Sequence, residues 1–117
     1  MAKTLSTVLT ADGNIVCQSC LIAEGPWLRM KGLLGRRELP DGEGILLRPA
    51  SSIHMAFMRF PIDAVFLARD LTVLRVVRGL APWRMASKLS AHSVLELPAG
   101  TCERRGVHEG DRLTIET

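Results

Sequence analysis

Aromatic residues are scarce in this chain of 117 residues: three phenylalanines, two tryptophans and no tyrosine. A protein that stacks bases along single-stranded nucleic acid relies on more of them. Lysine is scarce too, present only as Lys3, Lys31 and Lys88, so arginine carries most of the positive charge. The net charge of +3 and a pI near 9.1 favour contact with phosphates or acidic partners. The basic residues are nevertheless interleaved with acids and form no stripe of the kind that tracks nucleic acid. No apolar run approaches the roughly 20 residues of a membrane span, and Met1 to Thr10 lacks the unbroken apolar centre of a signal peptide. Cysteine is limited to Cys17, Cys20 and Cys102. Three cannot all pair within one chain, which argues against a secreted disulfide framework. These absences predict a cytoplasmic protein that contacts neither nucleic acid nor membrane.

What is present suits a single domain over residues 1–117, with 47% apolar composition. A chain of this length buries about two-thirds of its unfolded surface and folds without a staple. Residues 4–10 and 15–23 read as two strands around the turn Ala11-Asp12-Gly13-Asn14. Pro26 suits the first position of a helix whose apolar face carries Trp27, Met30 and Leu34. Short strands are expected at 45–47, 62–67, 71–77, 94–97 and 112–116. A single helical turn is expected from Thr101 to Arg105, ending at Gly106. Residues 79–92, with Pro82 and mixed polarity, read as a long loop. The predicted fold is α+β and mainly β: a curved or barrel-like sheet of about six short strands with one or two short helices.

The run from Ile53 to Asp63 places His54, Arg59 and Asp63 in strongly apolar sequence, where polar groups need partners. Together with residues 29–36 and the segment Val94-Leu95-Glu96-Leu97-Pro98-Ala99-Gly100, it resembles the family catalogued as domain of unknown function 192. The resemblance runs from about Cys17 to Leu113 and implies the same compact, mainly β fold. It implies no reaction. The family usually has glycine in the turn where this chain has Leu71.

Asp63 is expected to accept backbone N–H groups at a strand entry or to pair with Arg29, Arg36 or Arg59; the alternative is a base with a raised pKa. Glu96 stands opposite Leu95 and Leu97 in the alternation, and solvent exposure is its expected state. His54 with Met55 and Met58 resembles a soft-metal donor set, but one histidine supplies too few ligands, so no metal and no cofactor is expected. His54 and Arg59 are instead expected to flank a pocket whose wall is Met55 and Met58. Trp83 and Arg84 are expected at its rim. Cys17 and Cys20 lie three apart in a predicted strand, which would turn them to opposite faces with Cα atoms about 10 Å apart. A disulfide needs about 7 Å.

The function these residues favour is a non-enzymatic module that binds a small ligand or a protein partner. Its candidate residues are His54, Met55, Met58, Arg59, Asp63 and Glu96, with Arg29 and Arg36 orienting the carboxylates. The first alternative is a small hydrolase using Asp63 or Glu96 as base beside His54, which requires the three to converge. The second is a purely structural interaction module.

Overall fold

The computed structural model describes residues 5–25 and 36–117. The predicted helix that opens at Pro26, and Arg29 on it, lie outside the described residues. Nine strands are present among those described: β1 (Leu5–Thr10), β2 (Ile15–Ala23), β3 (Glu43–Leu47), β4 (Ser52–His54), β5 (Ile62–Leu67), β6 (Val73–Leu80), β7 (Met85–Ser87), β8 (Ser93–Pro98) and β9 (Leu113–Glu116). One short helix, α1, spans Thr101–Arg105. The count exceeds the predicted total of about six, seven segments being named, because β4 was not foreseen and the segment read as a loop over 79–92 contains β7. This three-residue strand pairs with the equally short β4. Two strands this short are stable only because Ile53 and Ala86 bury their inner faces against the larger sheet.

That larger sheet has seven strands in the order β6-β5-β8-β3-β2-β1-β9, with only the β2–β3 pair parallel. It curls into a half-barrel. The curl brings its two outer strands together at one end, where Thr72 and Arg112 form an isolated antiparallel bridge. The Leu113 N–H donates to the Leu71 carbonyl at 3.0 Å beside it. Four register shifts add to the curvature. Two lie in the β1–β2 pair, at Ser6–Val8 and Val8–Leu9, and two interrupt the β5–β6 pair; each extra residue bends its strand and increases its twist. In the β5–β6 turn Leu71 takes φ 70°, the left-handed backbone for which glycine is usual. Asp70 supports the turn by accepting the Thr72 N–H at 3.0 Å, and this bonding lowers its pKa.

Two apolar clusters occupy the two faces of the sheet. Inside the curl lie Val8, Val16, Leu46, Val65, Leu67, Leu95, Leu97 and Leu113, closed off by Cys102 and Val107 at α1. On the other face Ile45, Leu47, Ile62, Ala64, Phe66 and Val94 meet Ile53, Met55 and Ala86 from the β4–β7 layer. The central strands β5 and β8 are therefore buried at every position, which is why their sequences read as continuous apolar runs rather than as alternation.

Gly44 in β3 shows how closely the strands pack. A Cβ there would stand 2.8 Å from the Glu96 carbonyl oxygen, 2.9 Å from Cys17 Sγ and 3.0 Å from Leu97 Cδ2. The carbonyl belongs to a paired strand and cannot yield. Gly44→Ala is expected to cost about 2 kcal/mol by overpacking, read as a lower urea midpoint at unchanged slope. An unchanged midpoint would show that β3 and β8 can part at no cost.

Candidate functional site

The pairing of β5 with β8 decides which candidates can meet. Asp63 stands directly opposite Leu97, and Ala64 directly opposite Glu96. Directly opposed residues share a face. Asp63 thus faces the inside of the curl with Leu97, while Glu96 faces the β4–β7 layer with Ala64. The two carboxylates lie on opposite faces of one sheet. The convergent acid/base pair of the predicted hydrolase is not formed.

Asp63 is wholly buried, and both of its oxygens are occupied. Oδ1 accepts the Gly79 N–H at 2.9 Å, and Oδ2 accepts the Cys102 N–H at 2.9 Å. Gly79, at φ 61°, belongs to the β6 bulge, so its N–H is free of the ladder and turns to the carboxylate. Cys102 lies in the first turn of α1, whose cap residue Gly100 provides no side-chain acceptor. Asp63 supplies it from another strand. This is the structural role expected for Asp63, filled by backbone N–H groups rather than by an arginine. Arg36 is bound elsewhere, to Glu43 at 3.2 Å.

Glu96 overturns its expectation. It is buried, with 7% of its surface accessible. Its cross-strand neighbours are Ile45 and Ala64. Among the described residues its carboxyl has no hydrogen-bond or ion-pair partner. Burial alone pushes its pKa up to about 7. Alternation placed it correctly opposite Leu95 and Leu97, but that second face is covered rather than wet.

The other candidates gather at the β4–β7 layer. Met55 is buried and Met58 half-buried, and both belong to the cluster that contains Ile45 and Ala64. His54 ends β4, exposed and paired with exposed Met85, and Arg59 is exposed. The Met55 backbone ties the layer together, receiving the Trp83 N–H at 2.8 Å and donating to the Arg84 carbonyl at 2.7 Å. Phe57 and Trp83 meet edge to face with ring centroids 4.9 Å apart. The signal for the Phe57 contact was absent from any short pattern, since its partner is 26 positions away.

The cysteines also correct an expectation. Cys20 pairs with Ser6 and Cys17 with Val8, so three steps along β2 match two along β1. The extra residue returns both cysteines to the same face, and both are fully buried in the inner core. The two thiols interact: hydrogen bonding from Cys20 lowers the pKa of Cys17, and the same contact, with burial, raises that of Cys20. Cys102 is pushed up to about 12 by burial and by the Asp63 charge. All three are free thiols. Among the described residues no three His, Cys, Asp or Glu side chains are placed to hold a metal ion.

Two surface clefts lie apart from these residues. One, of about 550 Å³, opens beside Arg69, Asp70 and His92; the other, of about 360 Å³, beside Asp12, His108 and Asp111. Neither is lined by a candidate side chain.

The sequence profile of DUF192, described as an uncharacterised ACR family, matches residues 7–115. The chain belongs to this family. A UPF0127 protein of Pyrococcus furiosus is 41% identical over 69 residues, covering 54% of each chain; the match thus spans about half the length of that relative. A crystal structure from Sinorhizobium meliloti, of a protein provisionally called a transcription regulator, superposes with a TM-score of 0.84 at 30% identity, over 97% of this chain and 94% of the other. A protein of unknown function from Novosphingobium aromaticivorans superposes with a TM-score of 0.78 at 25% identity, over 96% of this chain and 84% of the other. Both neighbours share the half-barrel, so the DUF192 fold extends over essentially the whole described chain. Among the described residues no helix is long and apolar enough to cross a membrane.

Proposed function

We propose that this DUF192 domain is a non-enzymatic binding module that takes a small molecule with a cationic or hydrogen-bond-donating group onto Glu96. The observation that carries the reading is the carboxyl itself, buried in an apolar cluster with no partner among the described residues. An unpaired polar group in such a place costs free energy, and its chemistry is completed by a ligand that donates to it. Ala64 opposite Glu96 leaves the least side-chain bulk on that side. Met55 and Met58 form an adaptable apolar wall. His54 and Arg59 flank the same end of the layer. Asp63 and Arg36, already satisfied elsewhere, have no part in it.

The test is a native mass spectrum of the untagged protein purified from its source without chelator. The expected species is heavier than the 12.8 kDa chain and returns to the chain mass on denaturation. Glu96→Gln, purified in the same way, is expected to fold and to carry nothing. Retention of the same added mass by the variant would remove Glu96 from the site.

A further inference from the structure

Some cations of this protein are ion-paired and others, Arg37, Arg69, Arg75, Arg78 and Arg112 included, are without an ion pair among the described residues. Arg36, Arg48, Arg104 and Arg105 each pair with an acid. Those around the β4–β7 layer do not. Residues 44–62 and 71–95 contain no aspartate or glutamate, yet carry Arg59, Arg84 and Lys88, all exposed and without an ion pair among the described residues. Between them stands the most exposed aromatic surface described. Phe57 is 73% accessible, Trp83 66% and Met85 73%. Phe57 and Trp83 are held at φ 64° and 69°, backbone that bulky side chains rarely adopt and that costs free energy to maintain. Strain and exposure are thus spent on the same two rings, which project from adjacent turns.

We propose that this face docks on an anionic lipid surface, with Phe57, Trp83 and Met85 entering the headgroup boundary and Arg59, Arg84 and Lys88 binding the headgroups. Charge complementarity names an anionic occupant. A second copy of the chain would set like charges against each other. An acidic peptide would need a concave groove to bury its anchors, whereas rings two-thirds exposed or more form a convex tip. Tryptophan and phenylalanine flanked by basic side chains suit the membrane interface. The contact needs no spanning segment, so it replaces the expectation of no membrane with a peripheral one. It shares Arg59 with the site proposed at Glu96 but does not require that site's ligand.

The experiment is sedimentation of the full chain with vesicles of phosphatidylcholine, with and without phosphatidylglycerol. Binding is expected only to the anionic vesicles, and is expected to fade as the Debye length shrinks from about 10 Å at 0.1 M salt to about 3 Å at 1 M. Phe57→Ser with Trp83→Ser should weaken it about tenfold or more. Arg59→Ala with Arg84→Ala should weaken it about thirtyfold, from about fivefold for each basic group at such a surface. All four positions are exposed, and circular dichroism will verify that both pairs fold. Glu96→Gln should bind vesicles as the unmodified chain does. The proposal is overturned if the unmodified chain ignores anionic vesicles at low salt, if the aromatic pair variant binds them unchanged, or if soluble polyglutamate is bound in their place.

Discussion

Replacing Asp63 with alanine is expected to destabilise the domain by about 4 kcal/mol, the loss of two hydrogen bonds to a buried carboxylate, one from the buried Cys102 N–H and one from the part-buried Gly79 N–H. Domains of this size have roughly 5–15 kcal/mol in total, so the variant loses a large share of the stability. The Cys102 N–H in the first turn of α1 would be orphaned, and the Gly79 N–H in the β6 bulge would lose its acceptor. Two segments far apart in sequence would loosen together. Asp63→Asn retains one acceptor but aims an NH₂ group at the second N–H, and its cost is expected to be about 2–3 kcal/mol. Urea unfolding followed by far-UV circular dichroism measures both. A loss below 1 kcal/mol for the alanine variant would mean that water satisfies these N–H groups and that Asp63 is free for another role.

Glu96 gives the second large effect, with the opposite sign. Its carboxyl ionises near the ordinary 4.5 in the unfolded chain and at about 7 in the fold. Between those values the unfolded chain has released a proton that the folded chain keeps. Folding stability therefore falls as pH rises from about 4.5 to about 7 and levels off above that. The gap corresponds to about 3 kcal/mol. In ligand-free protein Glu96→Gln is expected to flatten this slope. It should match the unmodified chain near pH 4 and exceed it by about 3 kcal/mol at pH 8. A variant that is more stable yet empty is the signature of a residue kept for binding. If Glu96→Gln is less stable at pH 8, the carboxylate has a partner in the fold, and the proposed site loses its anchor.

These two carboxylates also show how far the sequence can be read. Asp63 lies in a continuous apolar run, and satisfaction by backbone N–H groups or by an arginine was the expected state. Burial follows from the run itself, because a strand with no polar alternation has both faces covered. The donors could not be named, since Gly79 is 16 positions away and Cys102 is 39. Glu96 sits in a shorter run, and its face was read correctly from the alternation about Leu95 and Leu97. Its environment was not. Alternation separates two faces without saying whether the second is wet, and that depends on the β4–β7 layer supplied by residues 52–54 and 85–87. Three-residue strands leave almost no periodic signal, so β7 was read as part of a loop and β4 was not foreseen.

The cysteine pair fails for a different reason. The rule that residues three apart in a strand face opposite ways holds for a regular ladder, and β2 is bulged where Gln18 and Ser19 face solvent. A bulge is a two-strand feature: it exists only because β1 takes two steps where β2 takes three.

By itself, then, the sequence determined the family, the mainly β class, the positions of the longer strands and the need for Asp63 to be satisfied internally. Each follows from local composition and a period of two, which neighbouring residues carry. The tertiary structure alone decided that Asp63 and Glu96 face apart, that Glu96 is buried without a partner, that Cys17 and Cys20 share a face, and that Phe57 and Trp83 meet at an acid-free tip. These depend on strand order, register and bulges, which are set by contacts between distant parts of the chain and therefore have no signature within any one segment.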